Sequence, residues 1–356
     1  MDLARTAMEN AALERALDLA ARGPLHGGNP RVGCVLLAAD GAVVAEGWHR
    51  GAGTSHAEAA ALASVAPQDR ARLVGGTAVV TLEPCHHTGR TPPCSRALHV
   101  TGLARVVHAV DDPNPKARGG GDWLRAQGVD VVTAAEAGLR ADLVTRAREL
   151  LISWATGGVR RRPWLIAKTA TTLDGRVAAM DGTSRWITGP EARAQVHAVR
   201  AQVDAIVVGT GTVLADDPAL TARNPDGALA AHQPLRVVVG ERPVPAGAEL
   251  RSGPGQWLHY PTRDLTAVLD ELHGRGMRHV LLEGGPTVLT AALRAGLVDE
   301  LHAYVAPVLL GAGPGAVADL GITTIGQAQR WRTTSIRRLG DDVLLTALRT
   351  PTGGDA

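Results

Sequence analysis

A chain of 356 residues is long enough for two ordinary domains, each burying its own hydrophobic core. Hydrophobic residues make up 45% of the chain and charged residues 20%, which excludes a disordered or collagen-like protein. The 37 basic and 35 acidic residues nearly cancel and Phe is absent, so the composition argues against a nucleic-acid-binding protein.

Charged side chains such as Asp2 and Arg5 interrupt the N-terminal segment, which excludes the apolar core of a secretory signal. The stretch 301–318 has no charged residue, but Pro307 and Pro314 argue against a membrane span there. We therefore expect a cytoplasmic protein without a membrane segment. Three cysteines are too few for a disulfide framework, and in a reducing compartment clustered cysteines favour metal binding or catalysis.

Helical and β-type patterns alternate along the first half of the chain. In chain order they predict a helix over 5–22, strands over 32–37 and 43–48, a helix over 56–65, a strand over 77–82, a helix over 94–101, a strand over 105–110, a helix over 123–127, a strand over 129–133 and a helix over 137–154. Asp40-Gly41 between the first two strands is a hairpin signal. This alternation predicts a layered α/β domain.

Gly157-Gly158 and the triplet Arg160-Arg161-Arg162 follow the last of these helices and are typical of a linker. We place the domain boundary between Ala155 and Arg162 and assign residues 1–155 to the first domain and 156–356 to the second. The second half continues with strands predicted over 164–169, 205–208, 235–239, 279–283 and 300–307, with helices between them. It is therefore also an α/β domain.

One histidine and two cysteines of the first half form a candidate metal site. His56 is followed by Cys85, which comes after Pro84, and by Cys94. Three protein ligands leave the fourth zinc position open, as in catalytic rather than structural sites, where the ion activates a water molecule. Cys34 lies within an apolar strand, so we interpret it as a core residue.

Glu58, two residues after His56, completes a pattern that zinc deaminases share. Their signature is His-x-Glu followed by Pro-Cys-x-x-Cys, and the glutamate transfers protons without binding the metal. Two residues apart, the two side chains converge only at a first helical turn, so we place His56 at a helix N-terminus. The sequence departs from the signature because eight residues, not two, separate Cys85 from Cys94.

The loop itself identifies a family. Cys85-His86-His87-Thr88-Gly89-Arg90-Thr91-Pro92-Pro93-Cys94, with Asn29-Pro30-Arg31-Val32-Gly33 before it and Asp112-Pro113-Asn114-Pro115 after it, resembles the deaminase half of the bifunctional riboflavin-biosynthesis deaminase/reductase family. The resemblance implies a cytidine-deaminase-like three-layer α/β/α domain that deaminates a diaminopyrimidinone ribotide. It also implies that Asn29, His49 and the Asp112 loop line the substrate pocket. His86 and His87 are next to a predicted ligand and could compete for zinc, but we interpret them as loop residues near the pocket.

In the second half, two segments begin like nucleotide-binding turns. Gly209-Thr210-Gly211-Thr212 lacks the third glycine of a dinucleotide fingerprint and is weak evidence. Gly284-Gly285-Pro286-Thr287 follows a predicted strand and precedes an apolar helix, whose positive end would suit a phosphate. Lys168, one of two lysines in the chain, is a candidate functional residue at the end of a strand.

The second half also resembles the reductase half of the same family, which has a dihydrofolate-reductase-like α/β fold and uses NADPH. The residues that carry this resemblance are the clusters 171–176, 184–188 and 215–220. The resemblance implies cofactor contacts at Ala170, Trp186, Thr212, Asp216, Gly285, Pro286, Thr287, Val288, Leu289, Thr290 and Ala291. It implies substrate contacts at Ser184, Arg200, Leu220, Arg223 and Glu283, to which Lys168 is added.

Three functions are compatible with these patterns. The first is the bifunctional enzyme, with Zn²⁺ and NADPH as cofactors, a small pyrimidine ribotide as substrate and a homo-oligomeric state. The second is a zinc deaminase that edits nucleic acids through a C-terminal binding module. The third is a zinc-stabilised metabolite-binding protein without activity. For the reductase proton donor, Asp216 and Lys168 are the candidates, whereas Asp174 is placed to hold the turn before Gly175.

Overall fold

Two α/β units follow one another along the chain, Met1–Val159 and Arg160–Ala356. The computed structural model describes residues 3–88, 92–160 and 162–350, with the backbone alone over 157–160. The motif residues Gly89, Arg90 and Thr91 lie outside the described part. Among the described helices, none has both the length and the apolar character that crossing a membrane requires.

The first unit is built on a five-stranded sheet. Its elements in chain order are α1 (Leu3–Ala20), β1 (Gly33–Leu37), β2 (Val43–Trp48), α2 (Ala57–Ala63), a 3₁₀ helix (Pro67–Leu73), β3 (Thr77–Val80), α3 (Cys94–His99), β4 (Arg105–His108), α4 (Gly120–Ala126), β5 (Asp130–Thr133) and α5 (Ala141–Arg160). The strand order is β2-β1-β3-β4-β5. β1 is antiparallel to β2 and β3, and β3, β4 and β5 are parallel.

Helices cover both faces of this sheet because its central strands are apolar on both sides. In β1, Val35 packs with the core that includes residues of α1 and α5, whereas Cys34 and Leu36 pack with the core that includes α2, α3 and α4. Cys34 is fully buried there, as expected of a core residue. The result is the predicted three-layer α/β/α arrangement.

The last helix of this unit differs from the prediction at both ends. It begins at Ala141 instead of 137 and continues to Arg160, so the prediction that it ends near Trp154 at a Gly157-Gly158 linker is wrong. The two units divide between Val159 and Arg160, inside the predicted interval from Ala155 to Arg162, although a first domain that ends at residue 155 would cut through α5. Two glycines cost a helix about 1 kcal/mol each relative to alanine, a cost that tertiary packing can override.

The second unit is built on an eight-stranded sheet. Its elements in chain order are β6 (Trp164–Thr172), α6 (Pro190–Arg200), β7 (Ala205–Gly209), α7 (Thr210–Asp216), β8 (Leu235–Val239), α8 (Glu249–Ser252), β9 (Trp257–Tyr260), α9 (Leu265–Gly274), β10 (His279–Leu282), α10 (Pro286–Arg294), β11 (Glu300–Ala306), a 3₁₀ turn (Ile325–Gln327), β12 (Trp331–Leu339) and β13 (Asp342–Arg349). The strand order is β12-β13-β11-β6-β10-β7-β8-β9.

Six neighbouring strands, from β11 to β9 in that order, are parallel, and the hairpin β12-β13 adds antiparallel strands beside β11. Alternate residues of β6 face opposite sides: Leu165 and Ala167 pack with α9 and α10, whereas Ala170 packs with the cluster under α6. Strands β9, β12 and β13 were missed by the sequence analysis. The parallel strands place their carboxyl ends at one edge, where ligands bind in open α/β sheets.

Candidate active sites

Three predicted metal ligands from distant parts of the first unit come together. His56 is the N-cap residue of α2, Cys94 is the first residue of α3, and Cys85 lies in the loop after β3. Nδ1 of His56 lies 3.6 Å from Sγ of Cys85 and 3.4 Å from Sγ of Cys94. All three donor atoms lie within 4.8 Å of one another. One imidazole nitrogen and two sulfurs form a donor set that fits zinc.

The hydrogen bond between the two cysteines of this cluster shifts their pKa values in opposite directions. Hydrogen bonding from the Cys94 thiol lowers the pKa of Cys85 to about 4, with burial opposing and His56 assisting. The same hydrogen bond raises the pKa of Cys94. The thiolate is the form that binds a metal, and the lowered pKa of Cys85 favours that form.

Glu58 lies in the first turn of α2 and is 4% exposed. Burial raises the pKa of its carboxyl to about 7, and the carboxyl interacts electrostatically with Cys85 and His56. His56 has an extended backbone, with φ −63° and ψ 161°, so it precedes the helix as expected. A spacing of two residues therefore brings the imidazole and the carboxyl to one place.

Two predicted substrate residues, Asn29 and His49, lie beside the metal cluster. Nδ1 of His49 lies 3.0 Å from the carbonyl oxygen of Ser55, and Nε2 lies 3.0 Å from Nδ2 of Asn29. Since a carbonyl only accepts, Nδ1 carries the proton and Nε2 accepts from the Asn29 amide. Burial lowers the pKa of His49, and its ring centre lies 5.7 Å from that of His56.

Glu83, which the sequence analysis did not single out, fixes the loop that contains Asp112. Its carboxylate accepts backbone N–H bonds from Asp112 at 3.2 Å and from Gly119 and Gly121 at 3.0 Å each. The Asp112 side chain in turn accepts the N–H of Asn114 at 2.8 Å. One half-buried carboxylate thus ties together the two ends of the segment 112–121.

This segment also contacts the metal cluster. Ala117 packs against Cys85 and Cys94, and its carbonyl accepts the backbone N–H of His86 at 2.9 Å. The His86 ring lies 2.9 Å, through Nδ1, from the hydroxyl of Ser95. Glu83 therefore positions the two sulfur ligands through the loop that it holds.

We expect Glu83→Gln to weaken zinc binding by about 10- to 100-fold, because partners outside the ligand set tune metal affinity by that amount. The glutamine keeps the shape of the side chain but loses the charge that three N–H donors share. Competition against a chromophoric chelator measures the affinity. The control is Glu136→Gln, whose carboxylate accepts the N–H of Thr133 in an exposed turn. Equal zinc affinity in both variants would contradict the positioning role.

In the second unit, Arg200 and Glu283 form a buried ion pair next to Lys168. Nε and Nη2 of Arg200 lie 2.6 Å and 2.8 Å from the two carboxylate oxygens of Glu283. Burial alone would raise the pKa of Glu283, but Arg200 and then Lys168 lower it overall. Burial lowers the pKa of Lys168, and the charge of Glu283 opposes that effect. Three predicted substrate residues thus form one charged cluster.

The loop that contains Leu220 is held against this cluster. The carbonyl of Thr221 accepts from Nη1 of Arg200 at 3.1 Å and lies 3.0 Å from Nδ1 of His197. Leu220 is 3% exposed and has a left-handed backbone, with φ 55°. Arg223 is exposed and donates to the carbonyl of Gly227 at 2.8 Å.

The predicted cofactor residues near α10 separate into two groups. Gly285 is the N-cap of α10, and a Cβ built on it would lie 3.8 Å from the Thr212 hydroxyl, so the turns after β10 and β7 are adjacent. Pro286 and Thr287 follow in the first turn. The side chain of Leu289 instead packs in the core, and the Thr290 hydroxyl accepts the N–H of Ala318 at 2.9 Å. The remaining segment residues are the half-buried Val288 and the exposed Ala291.

The segment before α6 places an indole at the surface. Trp186 is 69% exposed, and the guanidinium of Arg193 lies 4.6 Å from its ring centre. Ser184 is half-buried two residues earlier. Arg185 donates to the carbonyl of Asp216, which brings this segment to the end of α7.

Asp174 holds a turn, as expected. It accepts the Thr172 hydroxyl at 2.7 Å and the N–H groups of Leu310 and Gly311 at 3.2 Å and 2.7 Å. These hydrogen bonds, that of Thr172 first, lower the pKa of Asp174 to about 2. These contacts fit the predicted role of Asp174 in the turn before Gly175.

Comparison with known proteins decides the family. The model of the cytidine and deoxycytidylate deaminase zinc-binding region matches residues 7–110, and that of the RibD C-terminal domain matches residues 163–345. A riboflavin biosynthesis protein RibD from Mycobacterium tuberculosis is 45% identical over 324 residues, which cover 89% of this chain and 90% of that protein. This chain belongs to the RibD family.

Two further RibD-type proteins match over nearly their whole length. The RibD protein of Escherichia coli K12 is 37% identical, with 94% of this chain and 97% of that protein covered. The crystal structure of a diaminohydroxyphosphoribosylaminopyrimidine deaminase/5-amino-6-(5-phosphoribosylamino)uracil reductase from Thermotoga maritima matches with a TM-score of 0.83 and 28% identity, covering 97% of this chain and 100% of that one.

Membership in the RibD family confirms the predicted fold class and function. The first unit is a cytidine-deaminase-like zinc-binding domain and the second is a RibD reductase domain, so the chain is a bifunctional enzyme of riboflavin biosynthesis. The nucleic-acid-editing alternative is not favoured, because its C-terminal binding module is replaced by a reductase domain. The inactive metabolite-binding alternative is not favoured for the same reason.

Proposed function

We propose that this RibD-family enzyme deaminates 2,5-diamino-6-ribosylamino-4(3H)-pyrimidinone 5′-phosphate and then reduces the ribosyl group of the product with NADPH. The observation that carries the first step is the convergence of His56, Cys85 and Cys94 beside the buried Glu58. The observation that supports the second is the charged cluster of Lys168 beside the paired Arg200 and Glu283. The Thermotoga maritima protein supplies the substrate class.

In the deaminase unit, His56, Cys85 and Cys94 would hold zinc, which when bound supplies activation of the attacking water. Glu58 accepts a proton from that water and returns it to the amino group, which leaves as ammonia. The carbon–nitrogen bond breaks as the carbon–oxygen bond forms, so the diaminopyrimidinone becomes the uracil analogue. His49, whose pKa is lowered by burial, and Asn29 would bind the ring edge beside the metal cluster.

In the reductase unit, Ala170, Trp186, Thr212, Asp216 and the segment that begins at Gly285 would hold the cofactor, while the side chains of Leu289 and Thr290 secure that segment from the core side. They fit a dinucleotide phosphate, because the N–H groups of the first helical turn of α10 have no partner within the helix and Gly285 leaves the approach free of a side chain. The cofactor, when bound, supplies a hydride to C1 of the ring-opened ribose.

The residues around the charged cluster bind and orient the ribotide. Arg200 is fixed by Glu283, and with Ser184 and Leu220 it would line the substrate site. The exposed Arg223 would offer paired donors to the phosphate. The imine nitrogen gains a proton as C1 gains the hydride, which yields the ribitylamino product. Of the two candidates, Lys168 is the proposed donor, since burial lowers the pKa of its ammonium and favours proton release.

The test separates the two activities in the purified full-length protein. We expect ammonia to be released from the diaminopyrimidinone ribotide without NADPH, and NADPH absorbance to fall only when NADPH and the deaminated product are present together. Removing zinc with a chelator should stop ammonia release and leave NADPH oxidation intact when the deaminated substrate is supplied directly. Loss of both activities on chelation, or of neither, would contradict the proposal that zinc serves the deaminase activity alone.

Location in the cytoplasm and assembly as a homo-oligomer belong to the same proposal. The reduced state of Cys85 and Cys94, which zinc binding requires, suits a reducing compartment. Light scattering on the purified protein measures the assembly, and a monomer at working concentration would contradict it.

A further inference from the structure

The carboxyl edge of the second sheet presents a continuous path for an extended ligand. Strands β6, β10, β7 and β8 are neighbours in that order and parallel, so their carboxyl ends lie side by side. Neighbouring strands are about 4.8 Å apart, so the path from β6 to β8 covers about 14 Å. It passes Ala170 on β6, Gly285 after β10 and Thr212 after β7.

The far end of this path is formed by Glu241 and Arg242, which lie two and three residues past the end of β8. Oε2 of Glu241 lies 2.9 Å from Nη2 of Arg263, so its charge is balanced locally. Within 3–88, 92–160 and 162–350, no hydrogen bond or ion pair engages the guanidinium of Arg242. Of the two neighbouring charges, the positive one is therefore free for a ligand.

Arg242 reaches back over the turn that follows β7. A Cβ built on Gly211 would lie 3.2 Å from Nη2 of Arg242, so any side chain at position 211 would crowd the guanidinium. Gly211 directly precedes Thr212, which is itself adjacent to Gly285. The guanidinium thus continues the row of predicted cofactor residues, although neither the family resemblance nor the motifs pointed to it.

Residue types at the end of the strand after a nucleotide-binding turn decide which dinucleotide binds. A carboxylate there accepts hydrogen bonds from the ribose hydroxyls of NAD, whereas an arginine binds the 2′-phosphate of NADP. In this chain a carboxylate, Glu241, and an arginine, Arg242, stand side by side. Because Arg263 pairs with Glu241, Arg242 is the one that remains available to the cofactor. The arrangement therefore favours a phosphorylated adenosine ribose.

We propose that Arg242 binds the 2′-phosphate of the cofactor and determines the preference of the reductase unit for NADPH over NADH. The proposal rests on the reductase function proposed above. Arg242 is a specificity residue at the adenosine end of the path, remote from the reacting carbon. Substitution of Arg242 should therefore lower the affinity for NADPH and leave kcat unchanged.

Equilibrium binding to the full-length protein tests this without any turnover. Titration calorimetry with NADP⁺, NAD⁺, adenosine 2′,5′-bisphosphate and 5′-AMP is run on the wild type, Arg242→Gln and Arg251→Gln. Arg251 is the matched control, because its guanidinium lies 4.9 Å from the Trp257 ring and is engaged there. We expect Arg242→Gln to weaken NADP⁺ and the bisphosphate by about 10- to 100-fold and NAD⁺ and 5′-AMP by less than about twofold.

A second readout is kinetic. In Arg242→Gln, KM for NADPH should rise while kcat at saturating NADPH stays within about twofold of wild type. Equal weakening of NADP⁺ and NAD⁺, or no weakening of NADP⁺, would overturn the role of Arg242 while leaving the reductase proposal in place. A wild-type protein that binds neither NADP⁺ nor NAD⁺ would overturn both the role of Arg242 and the reductase proposal. Unchanged nucleotide binding in Arg251→Gln would show that the loss of a surface arginine does not by itself weaken binding.

Discussion

Replacing Glu58 with glutamine is expected to lower the rate of ammonia release by about 10²- to 10⁴-fold, the usual contribution of a positioned acid–base group. Glutamine has the same shape and fits the site in which Glu58 is 4% exposed. It cannot accept a proton from water or return one to the leaving amine. The metal ligands His56, Cys85 and Cys94 are untouched, so the zinc content should remain that of the wild type.

Three measurements on the same preparation distinguish this role from a structural one. Ammonia release should collapse, the zinc content should be unchanged, and NADPH oxidation with the deaminated substrate should persist. The control is Glu46→Gln, which removes a partly exposed carboxylate paired with Arg15 at 2.7 Å. Loss of zinc together with activity would make Glu58 a structural residue, and full activity would place proton transfer elsewhere.

The metal centre could be predicted from the sequence because its chemistry depends on the types of a few residues and on their order along the chain. A histidine, a glutamate two residues later and two distant cysteines next to prolines are rare together, and each side chain can do little else in that pattern. His56 at a helix start followed from the two-residue spacing to Glu58, and the structure has it as the N-cap.

The residues that hold the centre could not be predicted in this way. Glu83 accepts hydrogen bonds from three backbone N–H groups between positions 112 and 121. Nearly every residue has a backbone N–H, so the residue types do not show which of them donate to a side chain. The position of Arg242 could not be predicted either, because Gly211, its neighbour in space, is distant along the chain. Such contacts depend on the folded path of the chain.

The sequence does contain a turn signal for the hairpin β12-β13, which the sequence analysis missed. Gly340, with φ 63°, and Asp341 form a two-residue connection between β12 and β13, and short turns of this composition favour hairpins. Many residues of β12 are exposed, among them Arg332 and Thr333, so the strand lacks the apolar alternation on which the prediction relied. Edge strands with one solvated face are the elements that apolar patterns detect least well.

The ion pair between Arg200 and Glu283 is expected to be the most sensitive point for the stability of the second unit. Both side chains are largely buried, with 15% and 7% exposed. Arg200→Met leaves the Glu283 carboxylate buried without its partner, which costs about 3–5 kcal/mol in the free energy of unfolding. Glu283→Gln costs less, because Arg200 keeps its bond to the Thr221 carbonyl at 3.1 Å.

The double variant Arg200→Met/Glu283→Gln should be less unstable than the sum of the single variants, because neither charge is then left alone. Urea unfolding followed by a signal of the second unit measures all four proteins. Arg263→Gln is the control, since its pair with Glu241 is exposed and should contribute less than about 1 kcal/mol. Strictly additive losses would show that the two side chains act independently.

The pH dependence of the same measurement follows from the lowered pKa of Glu283. A carboxyl whose pKa is lower in the folded than in the unfolded state stabilises the fold above its unfolded pKa, and this contribution disappears as pH falls through the folded pKa. The stability difference between wild type and Glu283→Gln should therefore be full at neutral pH and shrink below the ordinary glutamate range. A difference that persists unchanged in acid would show that the carboxylate charge is not what stabilises the unit.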